Sequence, residues 1–125
     1  MRPEIPRAKL SHEATRDGRR ALRRGDRVAA EAAFRRALQL DARSSSALAG
    51  LADVYFERGE HDRAMHFAKL AVQRSPNAPA HRIRLGDSYY RLARYPDARS
   101  EYLAAKNLGS ASAGRRLAAL ARSGS

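Results

Sequence analysis

The chain has 125 residues, room for one domain, and 25 Lys+Arg against 13 Asp+Glu give it a formal net charge of +12. It contains no cysteine, which excludes disulfides, thiol nucleophiles and every cysteine-based metal or cluster site. Its longest apolar runs are a few residues, too short for a membrane-spanning helix or the apolar stretch of a signal peptide, so the expected setting is soluble and cytoplasmic.

Residues 1–10, with Pro3 and Pro6, predict a flexible N-terminal arm. From Ser11 onward the pattern is helical and paired. In residues 11–44, Ala14, Gly18, Ala21 and Leu22 recur at helical spacing, Gly25-Asp26 breaks the pattern, and Ala30, Ala33, Phe34, Ala37 and Leu38 resume it. In residues 45–78 the first helix carries Leu48, Leu51, Ala52 and Tyr55, and the break is Arg58-Gly59-Glu60. The second carries Ala64, Phe67, Ala68, Ala71 and Val72, and the unit closes at Ser75-Pro76-Asn77, where proline cannot continue a helix. Residues 79–112 run through Ile83, Leu85, Gly86, Tyr89 and Leu92, turn at Ala93-Arg94-Tyr95, and re-enter a helix whose first turn accommodates Pro96. That helix carries Ala98, Tyr102 and Ala105. Residues 113–125 predict a capping helix and frayed tail, introduced by Ser110 and Ser112, with Leu117, Leu120 and Ala121 as an apolar stripe and Arg115, Arg116 and Arg122 facing water.

These units superpose without a gap at a shift of 34 residues, the step from Arg24 to Arg58. Ala30, Ala64 and Ala98 fall in one column, Ala37, Ala71 and Ala105 in another, Gly18, Ala52 and Gly86 in a third, and Phe34, Ala68 and Tyr102 in a looser fourth. Small residues at fixed columns let paired helices approach closely, and Gly18, Ala52 and Gly86 are expected to face Ala30, Ala64 and Ala98. One hairpin of this kind cannot bury its apolar face alone, so neighbours must stack.

The columns resemble the tetratricopeptide repeat family, best in the second unit through Leu48, Leu51, Ala52, Tyr55, Gly59, Ala64, Ala68, Ala71 and Pro76, and next in the third through Leu85, Gly86, Tyr89, Ala98, Tyr102 and Ala105. The resemblance implies an all-α fold, a right-handed α-solenoid of three helix pairs plus a C-terminal capping helix. The first unit departs from the pattern, because Asp17 stands where the family has an apolar residue; a buried charge there would be costly, so the first helix is expected to be an exposed edge.

The resemblance also implies a concave groove lined by the first helix of each pair, used to hold a peptide segment or a partner helix. On such a fold the groove-facing positions are Thr15, Arg19, Leu22 and Arg23, then Ala49, Asp53, Phe56 and Glu57, then Ile83, Asp87, Tyr90 and Arg91. Relatives that clamp the carboxylates of chaperone tails use Lys, Asn and Arg at positions that here read Thr15, Arg19, Gly50, Ala80 and Arg84. Only Arg84 fits, so that kind of capture is not expected. Equivalent groove positions alternate in sign, Arg19, Asp53 and Asp87 in one row and Arg23, Glu57 and Arg91 in the next. Neighbouring helices ~8–10 Å apart would let these side chains pair across the floor, or leave them to select a ligand of both charges. Leu22, Phe56, Ile83 and Tyr90 supply the apolar anchor.

The net charge lies at the ends, with none on residues 45–78, and 22 of the 25 cations are arginine. A one-sided basic face with stacking aromatics, which nucleic-acid binding requires, is missing. The four histidines form no metal-ligand set, Asp62 and His66 read as a solvated surface pair, and neither a phosphate loop nor a nucleophile motif is present. The sequence therefore predicts a non-enzymatic adaptor or scaffold without cofactor or metal, whose partner is another protein, acidic or of mixed charge. A module that self-assembles through its ends is the first alternative, and a basic nucleic-acid binder the second.

Overall fold

The computed structural model describes residues 4–123. Among them are seven α-helices, α1 (Arg7–Arg23), α2 (Arg27–Leu40), α3 (Ser45–Glu57), α4 (His61–Arg74), α5 (Pro79–Arg91), α6 (Tyr95–Asn107) and α7 (Ala111–Arg122). Helices pack chiefly on their neighbours in sequence, giving the pairs α1/α2, α3/α4 and α5/α6, with α7 closing the end against α6. The first helices also touch in series, α1 on α3 and α3 on α5, and that series sets out one continuous face.

The turn inside each pair is built the same way. At the first, the amide of Asp26 donates to the carbonyl of Ala21 at 2.9 Å and that of Gly25 to Leu22 at 3.0 Å. The pattern recurs at Glu60 to Tyr55 with Gly59 to Phe56, and at Arg94 to Tyr89 with Ala93 to Tyr90. This Schellman closure needs a left-handed residue, normally glycine. Gly25 and Gly59 supply it with φ of 81° and 78°, and in the third pair Ala93 adopts it at φ 59°. Asp26 and Ser44 then cap α2 and α3, their side chains accepting from the amides of Ala29 and Ala47.

Helix contacts differ from the expected column pairing in one respect. The Ala30, Ala64 and Ala98 column is fully buried, yet the glycines face the aromatic column. A Cβ on Gly18 would lie 2.6 Å from Cε1 of Phe34, and one on Gly86 would lie 2.5 Å from Cε1 of Tyr102. Gly50 meets the same Phe34 ring from α3, so one buried side chain on α2 is held between two glycines on two different helices. In the middle pair both members are small, and Ala52 and Ala68 lie in one core cluster. Ring volume and backbone approach thus compensate pair by pair, which close packing requires.

Two end expectations are corrected. Helix α1 starts at Arg7, so residues 7–10 belong to the helix and not to an arm. Pro6 sits at its N-cap position, where a missing amide donor costs nothing, and Arg7 donates to the carbonyl of Gln39 at 2.8 Å, tying the first turn to α2. Residues 1–3 of that expected arm, and Gly124 and Ser125 of the tail, lie outside the described residues. Helix α7 begins at Ala111, and its apolar side is Ala113, Leu117 and Leu120, whereas Ala121 is exposed. Asp17 is exposed, as an edge helix demands.

Candidate functional site

The inward faces of α1, α3 and α5, joined by α7, form a shallow groove. Of the expected groove residues, two do not reach its surface. Ala49 is 0% exposed and sits in the core beside Leu48 and Ala71, because the turn it occupies faces α4. Thr15 is buried, with its hydroxyl donating to the carbonyl of Ser11 at 3.0 Å. Leu22 and Ile83 are half-buried and lean on the core. Phe56 is half-buried in the same way, and Tyr90 stands higher. Tyr90 is 36% exposed and packs edge-on against Tyr95, and Phe56 packs edge-on against His61.

The first charged row is paired. Arg19 donates to Asp53 at 2.6 Å, and Arg84 reaches the other oxygen of the same carboxylate at 2.9 Å. One anion on α3 therefore ties α1 to α5. Arg84 also approaches Nδ1 of His81 at 3.3 Å. Burial holds His81 below its ordinary imidazole pKa, and the guanidiniums of Arg84 and Arg19 depress it further against the opposing pull of Asp53.

Asp87 has a different set of partners. It accepts from the Tyr102 hydroxyl at 2.6 Å and from Arg116 on α7 at 2.7 and 3.0 Å. Arg116, expected in water, instead lies over the groove floor and fixes the capping helix. Burial and the bond to Asp87 raise the Tyr102 pKa, while the hydrogen bond and charge of Asp87 raise that of Arg116 against the cost of burial. Neither the Asp87 pair with α7 nor the second cation on Asp53 was legible in the 34-residue columns, since Arg116 and Arg84 are off-register partners, 29 and 31 residues away.

The second row behaves otherwise. Arg23, Glu57 and Arg91 are exposed, and among the described residues no ion pair joins them to one another. Arg91 instead lies over the Phe56 ring, 5.8 Å from its centroid. Beside it opens a recess of about 330 Å³ lined by Phe56, Tyr90, Arg91, Tyr102, Arg116 and Ala119 together with Asp87. A second, wider recess of about 470 Å³ runs past Asp53, Ile83, Arg84 and Ser112. Among the described residues no cluster of three metal-ligating side chains occurs. No helix among them is long and apolar enough to cross a membrane.

The family model for anaphase-promoting complex, cyclosome, subunit 3 matches residues 27–105. The chain belongs to this family of tetratricopeptide repeat (TPR) proteins. Its fold is similar to that of the first TPR domain of Spaghetti (RPAP3), a domain solved with an HSP90 peptide, at a TM-score of 0.88 and 16% identity, covering 93% of this chain and 94% of that one. It is likewise similar to the Sgt2 TPR domain from Aspergillus fumigatus, at a TM-score of 0.85 and 25% identity, covering 90% and 78% of the two chains. In sequence it is 38% identical over 68 residues to cellulose synthase operon protein C of Komagataeibacter xylinus, a stretch that is 54% of this chain and 5% of that protein. The chain thus spans a small fraction of that curated relative's length.

Within the TPR frame four of the five positions that would form a carboxylate clamp are occupied internally, and the fifth, Ala80, is exposed but carries no charge. Thr15 is buried, Gly50 is sealed by the Phe34 ring, and both Arg19 and Arg84 are engaged by Asp53.

Proposed function

We propose that this TPR array is a non-enzymatic binding adaptor that holds a peptide segment of another protein in its concave groove, as part of a complex. The observation that carries the reading is the recess between Phe56, Tyr90 and Ala119. It leaves Tyr90 partly exposed in a molecule whose other core-facing tyrosines, Tyr55, Tyr89 and Tyr102, are buried. An exposed aromatic beside unfilled volume is the anchor pocket a peptide side chain uses, and aromatic and arginine side chains carry most of the affinity in such sites. Neighbouring folds support it: a similar TPR domain was solved with an HSP90 peptide bound.

The test is a double substitution, Phe56→Ala with Tyr90→Ala. Peptides selected from a displayed random library on the wild-type chain are expected to lose binding to this variant by a factor of a hundred or more, about 3 kcal/mol for two anchors, while helicity by circular dichroism is kept. Equal affinity for both proteins would falsify the groove.

A further inference from the structure

The paired and unpaired rows of the groove assign a chemistry to the ligand, and this step rests on the groove reading above. Arg23, Glu57 and Arg91 are the last residues of α1, α3 and α5, so they line up along one rim at equivalent positions. A cation suits the C-terminal end of a helix, where the last carbonyls concentrate negative charge, and an anion does not. Arg23 and Arg91 therefore favour their helices, whereas Glu57 opposes its own. Arg27 relieves this end of α3 only at the backbone, donating to the carbonyl of Glu57 at 3.1 Å; among the described residues no ion pair reaches the Glu57 carboxylate, and α3 has no basic residue in its own last turn. An exposed anion at a helix C-terminus, flanked by two guanidiniums that also lack a carboxylate, makes a set of three charges with no ion pair among the described residues, Arg91 resting only on the Phe56 ring. The carboxylates nearest in the groove, Asp53 and Asp87, are already taken by Arg19, Arg84, Arg116 and Tyr102.

We propose that Arg23, Glu57 and Arg91 form a reading rim that selects an extended peptide carrying acidic, basic and acidic side chains in that order, with a large apolar residue next to the acid that meets Arg91. The spacing follows from dimensions. Adjacent first helices stand roughly 10 Å apart and an extended chain advances ~3.4 Å per residue, so the three charges fall about three residues apart. The apolar neighbour follows from position, since Arg91 lies over Phe56 at the mouth of the 330 Å³ recess. Charge complementarity of this kind sets partner choice more than total affinity.

The experiment uses a phage-displayed library of random peptides, about nine residues long to cross three rungs. It is selected separately on the wild-type chain and on Arg91→Glu and Glu57→Arg, with affinities of the synthesised winners measured by fluorescence anisotropy. The wild type is expected to enrich Asp or Glu beside a large apolar residue. Its best peptide should bind Arg91→Glu about three- to tenfold more weakly, and exchange of that acid for lysine should restore binding to the variant. Glu57→Arg should likewise convert a basic preference three residues away into an acidic one. If peptides still depend on Phe56 and Tyr90 but show the same preferences on all three proteins, or if lysine fails to restore binding, the rim proposal is overturned and the groove reading stands. If the wild type selects no peptide, both fall.

Discussion

The two charged rows of the groove start from similar composition and end in opposite states. The inner row of Arg19, Asp53 and Asp87 recruits Arg84, Arg116 and Tyr102 and becomes a set of ties across five helices. The outer row of Arg23, Glu57 and Arg91, four residues further along each helix, is exposed and makes no ion pair among the described residues. The difference lies in what is within reach. The inner positions sit one turn back from the helix ends, where oppositely charged or hydroxyl side chains of α5, α6 and α7 reach them; the rim positions overhang the turns, where the neighbouring contacts are Arg91 on the Phe56 ring and Arg27 on the Glu57 carbonyl. Charge in a repeat array is thus structural or free for recognition according to how far along its helix it stands.

Substitutions in the two rows should accordingly act on different properties. The largest expected effect is Asp87→Ala, which strips the Tyr102 hydroxyl and Arg116 of their acceptor; stability measured by urea unfolding should fall by about 2–3 kcal/mol, with α7 losing hydrogen-exchange protection first. Next is acid. The folded protein holds His81 below its unfolded value near 6.5, so the unfolded chain takes up the proton first and stability is lost as pH falls below about 6.5. His81→Gln should flatten that decline, and an unchanged slope would mean that burial and the guanidiniums of Arg84 and Arg19 do not outweigh the pull of Asp53 on its charging. The smallest effect is at the rim, with the opposite sign. Glu57→Gln should raise stability by ~0.3–1 kcal/mol, because it removes an anion from a helix C-terminus, while weakening peptide binding. A residue that trades stability for recognition in this way is one retained for its contact with something else.

Much of the fold was written in the spacing. A gapless 34-residue period agrees with the starts of α3 at Ser45 and α5 at Pro79, which stand one period apart. The Arg19 to Asp53 pair was legible for the same reason, being one full period apart. What escaped the columns was whatever leaves the period. Arg116 belongs to a helix that starts two residues ahead of register, at Ala111, and its side chain turns inward to meet Asp87 when composition alone placed it in water. Gly18 and Gly86 were expected to face the alanine column and instead receive aromatic rings, since helix rotation, which periodicity does not record, decides which column faces which. Ala49, whose column implied a groove face, is instead buried in a core cluster with Leu48 and Ala71.

The Phe34 ring wedged between Gly18 and Gly50 has a consequence for how the array comes apart. In a stack of repeats, cooperativity depends on the interface between neighbours relative to the stability of each unit. Here a single side chain of the first pair is shared with the first helix of the second, so loosening either glycine contact loosens both units. The first pair, poorest in large apolar residues, therefore borrows its permanence from the second, and the two should melt as one block.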